Sequence, residues 1–376
     1  MKKVLLTGLG DKLGGTESFL RVLITALSQE YDFSILAATS GDYAMKSFLS
    51  DRKISVYQLG NIFGLKNVLR RGAVLDAFFS EHHFDIVHIN ATTLNATYIA
   101  KAATRSGARV IFQIHNAQPS GYSALARLLT QVNKPAQRWY LGHQGLTLLS
   151  VSDDAAVQVF GHRLTERSVK VVANGIDTSA LRFDLDTRQS VRAELGLSER
   201  ARVALVVARL MPIKNIKRTI ELFAQVFDEQ LDALVIVGQG PELDQLRTYA
   251  HTYAPHVTQR VFFMGQRTDV RRFYSAADLY ISTSVAEGLS ISVIEAEAAG
   301  LPVLASTGVP KMTNVTQRVQ FLSLSASDEV WTDQIKTFNL ALNPAQRYKD
   351  NEIVAASRFS MNFFADEFRR IYNNPN

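Results

Sequence analysis

The chain has no cysteine in its 376 residues. That excludes disulfides, thiolate metal sites and a cysteine nucleophile, and it fits a reducing compartment. No apolar run approaches the roughly 18 residues of a membrane-spanning helix. The start, Met1, Lys2 and Lys3 with a short apolar run, is interrupted by Asp11 and Lys12 too early for a secretory signal. A cytoplasmic location is expected, with any membrane contact peripheral, at the inner face of the cell membrane. Charge of one sign is in small excess: 41 basic against 35 acidic residues, net +6. With no recognition motif beside it, that excess argues against nucleic acid and suits phosphorylated substrates or anionic lipid. Short repeats and low-complexity tracts are also missing.

What is present is core. Hydrophobic residues make up 47% of the chain, and short apolar runs alternate with helix-period segments from end to end. In the first half the runs fall at 4–9, 33–38, 54–59, 86–90, 110–115, 146–151 and 169–173. In the second they fall at 203–207, 234–237, 261–264, 279–282, 303–305 and 319–322. Fully apolar strands between helices predict a parallel, doubly wound sheet. The expected fold class is α/β, with two Rossmann-like domains facing across a cleft. Residues 1–177 form the first domain, the polar stretch 178–200 a linker, and 201–355 the second domain. The aromatic helix within 356–376 is expected to pack back on the first domain. The cleft is the default binding site.

Chemistry-bearing residues gather just beyond the strands. The first strand runs into Gly8-Leu-Gly10-Asp-Lys-Leu-Gly14-Gly15-Thr-Glu17, where glycine permits close backbone approach to a ligand and Thr16 is a plausible helix cap. Arg209 and Lys214 follow the strand at 203–207; a bidentate fork and a point charge suit a diphosphate. Gly238-Gln-Gly240 and Gly265 end the next two strands. After the strand at 279–282, Glu287 and Glu295 flank Gly288, Leu289 and Ser290 at a helix start, where free N–H groups and two carboxylates can receive an anion and hydroxyl groups. Asp184-Leu-Asp186 imitates a metal motif but has no strand context, and no metal site is expected. His82 and His83 read as surface residues, and Asp153 and Asp154 as caps of the next helix.

Together these residues resemble the retaining glycosyltransferases of the GT-B fold, family four. The block from Glu287 through Glu295 to Pro302 is the most specific part. Arg209, Lys214, Gly238-Gln-Gly240, Phe263-Met-Gly265 and Asp278 accompany it. Gly14-Gly15-Thr-Glu17, Asp85-Ile-Val-His88, Ile114-His115-Asn116 and Asn174-Gly-Ile-Asp177 resemble the family's N-domain landmarks. Lys214-Asn215, Glu287-Gly-Leu-Ser and 320–324 before Trp331 are closest to the capsular and exopolysaccharide subgroup.

The resemblance implies a hexosyltransferase that needs no cofactor or metal. It takes a nucleotide sugar, UDP-linked, and acts on a hydroxyl of a growing surface glycan, exopolysaccharide or lipopolysaccharide, or of a lipid-linked acceptor. Arg209 and Lys214 would stabilise the departing diphosphate. Glu287 and the amides of Gly288, Leu289 and Ser290 would face the sugar, and Glu295 the ribose. Gly15, Gly238 and Gly265 would line the donor, and Gly14, Glu17 and Asn116 the acceptor side. His115 would lie at the sugar's reacting face, as a catalytic or a positioning group. Two departures stand out: Ala208 replaces a usual glycine, and 307–311 lacks a glutamate many relatives carry. The alternatives are a sugar-nucleotide epimerase or a phosphorylase on the same scaffold, for which no cofactor lysine is identifiable, or a non-catalytic nucleotide-sugar-binding subunit. Lys66, Arg70, Arg71, Lys101, Arg105, Arg109, Arg127, Lys134 and Arg138 make the first domain basic, which fits contact with an anionic membrane.

Overall fold

The computed structural model describes residues 1–12, 14–60, 62, 67–115 and 124–374, the side chains of 124–132 excepted. Two compact units emerge, one of Met1–Gly175 with Met361–Asn376, the other of Ile176–Ser360.

The first unit holds seven parallel strands: β1 (Lys2–Leu9), β2 (Tyr31–Ala37), β3 (Ser55–Gln58), β4 (Ile86–Ala91), β5 (Arg109–Ile114), β6 (Thr147–Ser150) and β7 (Val169–Val171), ordered β3-β2-β1-β4-β5-β6-β7. Alternate residues serve opposite cores. Leu5, Val87, Ile89 and Phe112 face one cluster, while Val4, Leu6, Ile86 and Ile111 face the other. Both faces are covered, so the central strands are mostly apolar, interrupted by buried His88 and Asn90 in β4 and Gln113 in β5.

The second unit repeats the plan with β8 (Val203–Val207), β9 (Ala233–Val237), β10 (Val261–Gly265), β11 (Leu279–Ser282), β12 (Val303–Ser306) and β13 (Val319–Leu322), ordered β10-β9-β8-β11-β12-β13, again parallel. In each sheet the chain winds outward one way from its first strand, then crosses to wind the other way. The loops after β1 and β4, and those after β8 and β11, therefore diverge, leaving a crevice at the strands' carboxyl ends.

Several expectations need correction. The stretch 178–200 is not a loose linker; it contains the helix Leu185–Glu194 and lies within the second unit. Its polar letters mislead because two of its arginines are buried. Arg188 and Arg192 each reach a different oxygen of Asp278 at 2.6 Å; Arg188 Nη1 also donates to the carbonyls of 275–277, and Arg192 Nε and Nη1 donate to those of Ala276, Ser198, Glu199 and Ala201. Burying charge is tolerable only with such pairing. Asp184 caps this helix, accepting from Thr187 N at 2.7 Å, which accounts for the apparent metal motif.

Elsewhere, Ser152, not Asp153 or Asp154, caps the helix Asp153–Phe160. The helix Gly15–Leu27 begins one residue before Thr16, and the residue in the capping position, Gly14, makes no side-chain cap. The C-terminal helix, Met361–Asn373, starts later than 356 and buries Phe364, Phe368 and Tyr372 in the first unit's core beside Phe19.

Candidate functional site

In the second unit, three loops meet beside the crevice between β8 and β11. The loop after β8 carries Arg209 and Lys214. It is held down by β9: Ala208 N donates to Val237 O at 3.0 Å and Leu210 N to Gln239 O at 3.1 Å. Gly238 and Gly240 make this approach possible. Gly238 has φ +144, and a methyl group there would lie 1.8 Å from the Ala208 carbonyl oxygen; one at Gly240 would lie 2.1 Å from that of Leu210. These glycines thus support the Arg209 loop. Gly265, at φ +67, accepts from Gly238 N at 2.8 Å and continues the same chain of contacts. Arg209 is exposed and, among the described residues, carries no ion pair or hydrogen bond.

Lys214 ends a single 3-10 turn, Pro212–Lys214, closed by Asn215 in the left-handed region. Its Nζ reaches Glu287 Oε1 at 2.5 Å. The same oxygen accepts from Ser284 Oγ at 2.7 Å. Backbone contacts fix this pair: Val285 N donates to Ile213 O at 2.7 Å, and Glu287 N to Gly308 O at 3.0 Å. A small pocket is lined here by Ala208, Lys214, Tyr280, Ser284, Glu287 and Ser292. Gly288 and Leu289 are half-buried, and Ser290 is buried at the head of the helix Ile291–Ala298.

Glu295 lies one turn into that helix. Tyr274 OH donates to its Oε2 at 2.8 Å, and burial pushes its carboxyl up to about 7 against the lowering effect of that hydrogen bond. Glu297, two residues on, is fully buried and accepts from Val315 N, Thr316 N and Thr316 Oγ1, so it anchors the segment after β12. Sequence reasoning missed four supports. They are Ser284, Tyr274, Glu297 and Gly308, whose added methyl would lie 2.3 Å from Val285 O. Only Gly308, beside a strand end, carried a visible signal.

The first unit's crevice, between β1 and β4, is built differently. Glu17 is buried and folded back on the glycine loop, accepting from Gly10 N at 2.9 Å; burial raises its carboxyl. Gly14 is extended, and Gly15 has open space around it. His115 follows β5, packed on the Phe19 ring at 4.6 Å between centroids. Its Nε2 is 2.8 Å from Asn90 Oδ1, and burial pushes its pKa down to about 3, helped by His88. His88, also buried and held near 3, sits between Tyr372 OH and Gln113 Oε1, each 2.9 Å away. Asn116 lies outside the described residues.

Among the described residues no group of three or more His, Asp or Glu converges as a metal site, and no helix is long and apolar enough to cross a membrane. His82 packs on the Tyr57 and Phe78 rings. Much of the basic set is internally engaged. Arg105 pairs with Asp76, Arg138 donates to Val159 O, Arg109 donates to Tyr372 O, and Arg71 lies over the Tyr98 ring. Lys66 and the Arg127 side chain lie outside the description. Trp139 is 63% exposed.

Comparison with known proteins covers both units. The family described as Glycosyltransferase Family 4 matches residues 13–180, and that described as Glycosyl transferases group 1 matches residues 187–351. The putative glycosyltransferase EpsF of Bacillus subtilis is 26% identical over 70% of this chain and 68% of its own. A GDP-mannose-dependent alpha-(1-6)-phosphatidylinositol monomannoside mannosyltransferase of Mycobacterium tuberculosis is 30% identical over 62% of this chain and 61% of its own. The crystal structure of Anabaena HepE with UDP and glucose matches with a TM-score of 0.79 at 20% identity, covering 100% of both chains. That likeness establishes the same two-domain fold.

Proposed function

We propose that this chain, a glycosyltransferase of the GT-B fold by the two family models that between them span both of its units, moves a hexose or N-acetylhexosamine from a UDP-sugar to a hydroxyl of a growing surface glycan or lipid-linked acceptor. In this reading transfer proceeds with retention and without a metal. The second unit takes the nucleotide and the first the acceptor. The observation that carries the proposal is the convergence at one sheet crossover of Arg209, the Lys214–Glu287 pair and the helix start before Glu295. Cations, hydroxyl acceptors and helix N–H groups meet there, as a sugar diphosphate requires. The UDP and glucose held by the Anabaena protein support the uridine reading.

The chemistry follows from where charge develops. As the anomeric C–O bond breaks, negative charge grows on the β-phosphate. Arg209 and Lys214 would supply the cations that stabilise it, which lowers the barrier. For Lys214 to serve, it shares or exchanges its contact with Glu287, freeing that carboxylate to accept a sugar hydroxyl. With retention, the acceptor oxygen bonds to the anomeric carbon on the face the diphosphate leaves, and its proton passes to a β-phosphate oxygen. His115, neutral at physiological pH, orients a hydroxyl and is not needed as the base. Membrane contact through the first unit's basic face would bring a lipid-linked acceptor within reach.

The test is turnover of a panel of UDP- and GDP-sugars with polyprenyl-diphosphate-linked and free glycan acceptors. Nucleoside diphosphate release and the product's anomeric configuration by NMR are read out. UDP release with an unchanged anomeric configuration is expected. An inverted product removes retention, and preferential use of GDP-sugars removes the uridine assignment.

A further inference from the structure

Two neighbouring contacts fix how Asn90 lies, and through it which nitrogen of His115 carries the proton. Asn90 and His115 belong to adjacent strands of the first unit: Asn90 is on β4, and His115 directly follows β5. Asn90 is buried, and its backbone is held on both sides. Its N–H donates to Thr7 Oγ1 at 3.3 Å, and its carbonyl lies against Gly8, where an added methyl would sit 2.4 Å away. The amide's orientation is then decided by its partners. Asn90 Nδ2 lies 3.3 Å from His88 O, a carbonyl that only accepts. Turning the amide over would set two carbonyl oxygens against each other, so Nδ2 faces His88 and Oδ1 faces His115. An oxygen 2.8 Å from His115 Nε2 accepts, so Nε2 must donate.

The consequence lies on the other side of the ring. His115 Nδ1 is buried with no hydrogen-bond partner among the described residues. In a neutral ring protonated at Nε2 that atom is a bare acceptor. A buried acceptor without a partner is costly unless a ligand supplies the donor.

We infer that Asn90 is a positioning residue that locks His115 as its Nε2–H tautomer, leaving Nδ1 as the ring's lone-pair acceptor for a substrate hydroxyl that displaces what now covers it. The ring then recognises an O–H group by accepting from it and does not donate to a substrate oxygen. This rests on the proposed carbohydrate reading, since it takes a hydroxyl-bearing substrate to use the lone pair. The tautomer itself does not depend on that reading. Among the described residues, the Phe19 ring and the Asn90 amide contact the imidazole, and His88 lies nearby. Burial against them keeps the ring uncharged near neutrality, so the same acceptor persists across the working range.

The experiment is nitrogen-15 NMR of the full-length protein labelled in its eight histidines, with His115 assigned by its loss in His115→Gln. The wild-type protein should show a protonated Nε2 and an unprotonated Nδ1 at pH 7. A proton on Nδ1 overturns the inference whatever the activity. Asn90→Ala should give a mixed-tautomer signal and about tenfold lower turnover, with UDP-sugar affinity by calorimetry unchanged. Asn90→Asp, which retains an acceptor for Nε2–H, should restore the single tautomer and raise the ring's pKa measurably. If Asn90→Ala fails to fold, the wild-type spectrum and Asn90→Asp still decide; an unshifted ring pKa in Asn90→Asp counts against the contact. A wild-type protein with the expected tautomer that binds no nucleotide sugar removes the functional reading and leaves the tautomer lock standing.

Discussion

The two sheets share one winding plan, yet the crevices at their crossovers carry opposite chemistry. Beside β8 and β11 the side chains are charged and partly open: Arg209 free, Lys214 on Glu287, Glu295 raised toward neutrality. Beside β1 and β4 the exposed charges are one of each sign, Asp11 and Lys12, and the inner groups are neutral or folded inward: Glu17 on its own loop, His88 and His115 uncharged, Asn90 between them. An ionic crevice selects a phosphate-bearing ligand, and a neutral one selects by hydroxyl geometry. The duplicated architecture fixes only where a ligand can bind; the loop residues decide what binds.

The largest expected break in this contrast comes from the cations. Arg209→Ala should lower kcat by about 10²–10³-fold with little change in melting temperature, because the side chain is exposed; Lys214→Ala should lower kcat similarly but also lower the melting temperature, since it leaves Glu287 unpaired. Steady-state kinetics beside thermal unfolding checks both. Gly238→Ala should destabilise the second unit by about 3 kcal/mol, since it demands a left-handed backbone against the Ala208 carbonyl. Gly15→Ala, with open space around it, should stay within about 1 kcal/mol of wild type in urea unfolding.

A smaller effect is expected at Glu295. Its carboxyl ionises near 7, and the ionised form is the better hydroxyl acceptor, so nucleotide-sugar affinity should rise by roughly threefold to tenfold between pH 6 and 8. Calorimetry on Glu295→Gln should show weaker binding with that slope removed. The smallest effect is an absence of slope. His115 stays neutral well above its pKa of about 3, so His115→Gln should lower turnover about tenfold by the same factor at every pH from 5.5 to 8. A rate ratio that changes with pH across that interval would show His115 titrating during turnover, and the neutrality contrast between the crevices would fail.

Much of the fold was legible because strands buried on both faces leave unbroken apolar runs such as those in β1, β8 and β9. The positions of Arg209, Lys214, Glu287 and Glu295 were legible too, as polar residues just beyond such runs. The segment 178–200 was not. Arg188 and Arg192 look like solvated letters until Asp278, about ninety positions on, is brought beneath them. Tyr274 and Asn90 escaped notice for a related reason: each acts on a residue that is near only through the sheet or an intervening helix. The Lys214–Glu287 contact was likewise invisible, since sequence suggested separate ligand roles and the fold pairs the two groups with each other.

The C-terminal helix gives the chain an order of assembly in time. The second unit is one continuous stretch, so it can close as soon as it has left the ribosome. The first is begun before it and finished after it, because Phe364, Phe368 and Tyr372 belong to its core. At translation rates of 5–20 residues per second, its amino-terminal part waits about 10–40 s while the second unit is made. Throughout that interval Phe19 and His88 lack the aromatic side chains that will cover them. A chain ending before Met361 and released from the ribosome should therefore expose that surface to chaperones and proteases, although its second unit is complete.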